Sequence, residues 1–163
     1  MRIKTTLKAA LITLLLTLCL HADDRLYFLP NDAKKAEKRI EHLIENANKS
    51  IEIAMYNFSL NRFAKALVKA HKSGVEVKVF LDAQKTKDDK SEYEYLKDKG
   101  IKVVRIKDAK LHTKLALFDR QTVLFGSSNW TKESFDENYE VIYVTSQEEV
   151  VKPFTEFLKN LKD

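Results

Sequence analysis

The chain has 163 residues, 33% of them charged and 44% hydrophobic. That allows one domain with a proper core, is too short for two of ordinary size, and is too apolar for a disordered chain. The formal net charge is +5, but Arg2, Lys4 and Lys8 lie in the first 22 residues, where there is no acid, and the remainder holds 26 basic and 24 acidic residues. So small an excess does not announce a nucleic-acid partner, and a local basic patch would have to do so instead.

A basic stretch from Met1 to Lys8 precedes an apolar run of 12 residues from Ala9 to Leu20. The run is shorter than the roughly 20 residues that carry a helix across a bilayer, so it reads as a secretory signal. Ala22 offers a small residue for cleavage, while Leu20 is large for the position two before it. Residues 1–22 are therefore expected to be a signal peptide or a retained membrane anchor. Residues 23–163 are the folded domain of an exported protein, periplasmic or secreted, membrane-associated if the segment stays. The single cysteine, Cys19, falls in the segment, which leaves the domain no thiol or disulfide chemistry.

Arg25 to Leu29 reads as an edge strand stopped by Pro30, and Asn31 or Asp32 can cap a helix running to about Asn48. Ile51 to Phe58 reads as a buried strand, and Leu60 to Lys72 as a helix with Phe63, Ala64, Leu67 and Val68 on one face. Gly74 ends that helix, and Val75 to Leu81 alternates as a strand. A charged helix over about Asp88 to Lys99, ended by Gly100, leads to a strand beginning at Ile101. Leu111 to Phe118 and Thr122 to Phe125 form a hairpin about the turn Asp119-Arg120-Gln121. Asn138 to Val144 is a further strand, and Gln147 to Leu161 a closing helix. Strands alternating with helices, followed by adjacent strands, give an α/β fold with a mixed β-sheet flanked by helices.

The chemistry is concentrated in Leu111-His112-Thr113-Lys114 and Gly126-Ser127-Ser128-Asn129. His112 and Lys114 are two apart on a predicted strand, so they share a face roughly 7 Å apart along the backbone. The returning strand of the hairpin brings Ser127 and Asn129 beside them. A nucleophile or base, a cation and two neutral donors suit a phosphate, with Lys114, Ser127 and Asn129 as phosphate-binding groups. Lys85, Lys87 and Lys90 read as a solvated loop or as the lining of a groove for a phosphate backbone. Trp130 reads as core, or as a platform for a base.

These residues resemble the motif of the phospholipase D superfamily: H-x-K, four residues, D, six residues, then G-S and an Asn. His112, Lys114, Asp119, Gly126, Ser127 and Asn129 all fit it, and the spacing from Ser127 to Asn129 is similar to the small single-motif bacterial endonuclease branch. The resemblance implies a phospholipase D-like fold and a metal-independent phosphodiesterase without cofactor. It is expected to be a nuclease hydrolysing DNA, with RNA as an open second substrate. His112, Lys114, Asp119 and Glu137 would be the catalytic residues, Glu137 orienting the histidine and Glu140 the second choice for that task, while Asp119 reads equally as a residue that stabilises the turn between strands. The superfamily's site uses two such motifs and this chain holds one, so the resemblance further implies a homodimer that pairs two copies of His112. The alternatives are a lipid phosphodiesterase at a membrane and a nucleic-acid-binding module without catalysis.

Overall fold

The structure, a computed structural model, describes residues 24–161, so the expected export segment lies outside the described residues. A single seven-stranded mixed sheet organises the domain. Its strands are β1 (Arg25–Leu29), β2 (Ser50–Met55), β3 (Glu76–Asp82), β4 (Lys102–Ile106), β5 (Lys114–Phe118), β6 (Thr122–Gly126) and β7 (Glu140–Thr145), in the order β1-β7-β6-β5-β2-β3-β4. β2, β3 and β4 run parallel, whereas β5 meets β2 antiparallel and β6, β7 and β1 continue antiparallel.

The helices are α1 (Ala33–Glu45), α2 (Asn61–Lys72), α3 (Tyr93–Asp98), α4 (Lys132–Asp136) and α5 (Glu148–Asn160). One sheet face is closed by α1 and α2, whose Ile40, Ile44, Phe63 and Leu67 are fully buried with Ile51, Ile53, Ala116 and Trp130. The other face packs Leu115, Leu117 and Val123 against Val151 and Leu158 of α5. Both faces of β5 are thus covered, and all five of its residues are buried.

Differences from the expected boundaries have local causes. α1 ends at Glu45 because the backbone N–H groups of Asn48, Lys49 and Ser50 are taken by the Asp119 carboxylate instead of continuing the helix. The charged helix shrinks to α3, preceded by a single 3₁₀ turn over Lys85–Lys87. Glu92 is buried before α3 and accepts both of its side-chain hydrogen bonds from Asn61, fixing the helix start there. The strand expected from Leu111 begins only at Lys114, because Leu111 N–H donates out of the sheet to Asp82 Oδ2 (3.1 Å). The strand expected from Asn138 begins at Glu140, behind α4. That helix has only five residues, too few for periodicity to show, and Thr131 Oγ1 caps it by accepting from Ser134 N–H (3.2 Å).

This topology positions the site. The carboxyl ends of β2, β3 and β6 and the starts of β5 and β7 all lie along one edge of the sheet, as the pairings Met55↔Lys114 and Gly126↔Ile142 require. The carboxyl edge of the parallel strands is where ligand crevices form in open α/β sheets.

Candidate active site

His112 stands exposed in the short loop before β5, and Lys114 is the first residue of the strand. Lys114 is only 8% exposed, and its Nζ spends one donor on the His112 carbonyl (3.0 Å). Burial, and then the Lys110 ammonium, push the Lys114 amine below its usual range, while the Glu140 carboxylate pulls it back up. A buried ammonium carrying two further donors is costly unless an anion meets it. The Lys114 charge, partial burial and Lys110 in turn hold His112 below the ordinary imidazole value, with Asp82 opposing. The imidazole is therefore biased to its neutral, nucleophilic form.

Tyr56, just past β2, lies against the imidazole with ring centroids 4.6 Å apart and planes at 59°. Across the hairpin, Ser127 Oγ donates to Glu140 Oε2 and accepts from Val141 N–H (3.1 Å). Asn129 Oδ1 accepts from Asn57 N–H at 3.3 Å, which orients its amide and leaves Nδ2 to donate elsewhere. Gly126 is required here: a Cβ would meet the Val141 carbonyl oxygen at 2.0 Å, so only glycine lets β6 and β7 approach at this rim.

The structure brings His112, Lys114, Ser127 and Asn129 to one end of the sheet, and places Asp119 at the other. Asp119 sits at the opposite end of β5, roughly 17 Å away at the usual strand rise. There it accepts from the backbone N–H groups of Asn48, Lys49 and Ser50 at 2.7–3.0 Å. Asp119 and Arg120 adopt φ of 53° and 56°, a turn matched to the strand twist, and Gln121 N–H closes it on the Phe118 carbonyl. Burial raises the Asp119 carboxyl, yet the three backbone donors together bring it below the usual range. Asp119 is a structural clamp in this fold.

Glu137 ends α4, exposed, its backbone N–H bonded to Glu133 O. Glu140, at the start of β7, is the acid that reaches the site through Ser127 and by its charge on Lys114. α4 occupies the residues between, and so moves the acid three positions downstream. Tyr56 had no motif to announce it and is expected as a core residue of the strand Ile51 to Phe58, but the strand ends at Met55 and Tyr56 stands half-buried at the functional edge. Trp130 is fully buried between Phe58 and Phe63, at ring distances of 5.1 and 5.0 Å, and belongs to the core.

One opening is lined by the histidine and another by Tyr56 beside it. An apolar groove of about 440 Å³ is bounded by His112, Lys114, Phe125, Phe154 and Phe157. A second, of about 380 Å³, lies beside Tyr56, Asp82, Lys107 and Lys110.

Residues 40–162 match the family model described as the cardiolipin synthase, PLD-like domain. Among curated proteins, the chain is 34% identical over 123 residues to a mitochondrial cardiolipin hydrolase of Danio rerio, covering 74% of this chain and 54% of that one. It is 28% identical over 124 residues to the Homo sapiens protein of the same description, covering 76% and 49%. The chain thus spans about half the length of these relatives. Among solved structures, NucT from Helicobacter pylori superposes with a TM-score of 0.78 at 25% identity, covering 85% of this chain and 94% of that one. Nuc, a phospholipase D family member from Salmonella typhimurium, gives 0.79 at 26% identity, covering 86% and 93%. With the family model over three quarters of its length and two structures sharing its fold over 85–86% of it, this chain belongs to the phospholipase D-like phosphodiesterase superfamily.

Proposed function

We propose that this protein is a metal-independent phosphodiesterase that hydrolyses nucleic acid, DNA foremost, through a phosphohistidine formed on His112. The observation that carries this is the buried Lys114 ammonium, poorly satisfied by the protein itself, beside an exposed imidazole held toward neutrality. A phosphate seated there would take the free donors of Lys114 and the Asn129 amide.

In the first step the neutral imidazole attacks phosphorus. A P–N bond forms, the P–O bond to the leaving group breaks, and that oxygen takes a proton from a second His112 supplied by another copy of the chain. In the second step the now neutral second imidazole removes a proton from water as the water attacks phosphorus. The P–N bond breaks and both histidines return to their starting states. The bound phosphate provides the negative charge that lets the second imidazole hold its proton. Glu140, tied to Ser127, is the acid placed to balance the cations of the site. A homodimer is thus part of the proposal, as is export through residues 1–22.

The similarity to NucT and Nuc over 93–94% of their chains favours nucleic acid. One observation favours a lipid phosphodiester instead: the apolar groove bounded by Phe125, Phe154 and Phe157 would accept an acyl chain next to His112, and relatives are described as cardiolipin hydrolases. The deciding experiment offers single-stranded DNA, double-stranded DNA, RNA and cardiolipin vesicles to the chain from Asp23 onward, in EDTA, beside His112→Ala. Cleavage of nucleic acid by the unaltered protein alone supports the proposal. Cleavage of cardiolipin alone selects the lipid reading, and dependence on added metal refutes the mechanism.

A further inference from the structure

The Tyr56 ring has an unusual set of neighbours. Besides His112, three ammonium groups lie around it: Lys110 Nζ at 4.9 Å from the ring centroid, Lys114 Nζ at 5.1 Å and Lys85 Nζ at 5.6 Å. Only Lys114 belongs to the motif. Lys85 comes from the turn after β3, and Lys110 from the loop before His112.

The two loops are pinned together by one buried carboxylate. Asp82, 4% exposed at the end of β3, accepts from Gln84 and Lys85 N–H through Oδ1 (3.0 and 3.2 Å) and from Leu111 N–H through Oδ2 (3.1 Å). It accepts three backbone hydrogen bonds, which fix the loops that carry the lysines, while its charge still acts on Lys85 and His112. Lys85 shares its charge with Asp88 at 2.9 Å. Among the described residues no carboxylate lies within ion-pair distance of Lys110. The ring also explains how like charges are tolerated so close together, because its negative face attracts each of them.

Tyr56, which lies against His112, and Lys110 line an opening that shares no residue with the apolar groove. Lys114 faces the phosphate that reacts, so Lys110 is left for another anion, with Lys85 beside it shared with Asp88. We propose that Tyr56, Lys110 and Lys85 form a second phosphate subsite, which holds the phosphate next to the one under attack. This rests on the phosphodiesterase reading of His112 and narrows its substrate to molecules with two neighbouring phosphates. A nucleic-acid strand offers these, and so does a lipid such as cardiolipin.

The test compares substrates that share the scissile bond. Bis(p-nitrophenyl) phosphate, with one phosphate, reports whether the diesterase site works at all; its failure, together with that of every natural diester, overturns the function rather than the subsite. The thymidine dinucleotide TpT is then compared with pTpT and TpTp. The subsite predicts that one phosphorylated form is turned over at least tenfold more efficiently than TpT. Phosphatidylglycerol against cardiolipin is the lipid pair, and whichever pair shows the preference identifies the source of the second phosphate.

Lys110 also acts on His112, so its loss touches every substrate, and the ratio within a pair is the quantity read. In Lys85→Ala/Lys110→Ala that ratio should fall to about one, whereas Lys34→Ala, an exposed lysine of α1, should leave it as it was. A binding arm with His112→Ala protein, titrated with TpT and pTpT or TpTp, reads the same ratio without turnover. Affinity for the two-phosphate ligand should fall more steeply with added salt than affinity for TpT. Equal affinity and turnover within both pairs, or a ratio that survives loss of both lysines, overturns the proposal.

Discussion

The two ends of β5 carry residues of one motif and do opposite work. At its start, His112 is exposed and Lys114 is buried with most of its donors unspent. At its end, Asp119 is saturated by three backbone N–H groups and locks the turn into β6 against the chain entering β2. Unsatisfied polar groups held rigidly are what a ligand can use, and satisfied ones are what a fold can rest on. Spacing in sequence does not distinguish the two, because a strand passes through the whole domain and delivers its ends to different places.

The largest expected contrast follows from exchanging losses between those ends. His112→Ala should lower turnover by a factor of about 1,000 or more while leaving the melting temperature nearly unchanged, since the side chain is exposed. Asp119→Ala should do the reverse: about 1–3 kcal/mol less stable in urea titration, with activity per folded molecule retained. A melting curve and a rate for each variant check both, and an inactive but stable Asp119→Ala would break the contrast. Lys114→Met is expected to cost roughly 100-fold in rate with little loss of stability, because it removes a cation whose burial the fold does not need.

A smaller effect separates the two acids. Glu140→Gln should slow turnover by about 10-fold or more through Ser127 and Lys114, whereas Glu137→Gln should leave the rate within twofold; the opposite ranking would restore Glu137 to the site. The smallest effect is acid sensitivity. The Asp119 carboxyl lies below its ordinary value of 3.8 in the folded chain. Its stabilisation is therefore complete above that value and is lost as pH falls through the folded one. Asp119→Asn should flatten this part of the stability curve below about pH 4 and change nothing in it near neutrality.

The sequence carried the layout of the domain because each element advertises itself locally. The helical spacing of Phe63, Ala64, Leu67 and Val68, the alternation after Gly74 and the glycine at 100 all survive in the structure. The grouping of His112, Lys114, Ser127 and Asn129 was legible for the same reason, since a hairpin with a short turn leaves its two strands few registers. α4 was not legible: five residues are too few to show a period, and its presence decides that Glu140 rather than Glu137 arrives beside Ser127.

By itself, then, the sequence determined the α/β order of elements and the four polar groups that meet at the hairpin's open end. Only the tertiary structure decided the rest: Asp119 as a clamp, Trp130 as core, Tyr56 as the hub of three lysines, and Asp82 as the carboxylate joining the loops that carry two of them. Those assignments depend on contacts between segments tens of residues apart, such as Asp119 with Asn48 or Asp82 with Leu111, and no local propensity encodes which distant backbone donors a carboxylate will meet.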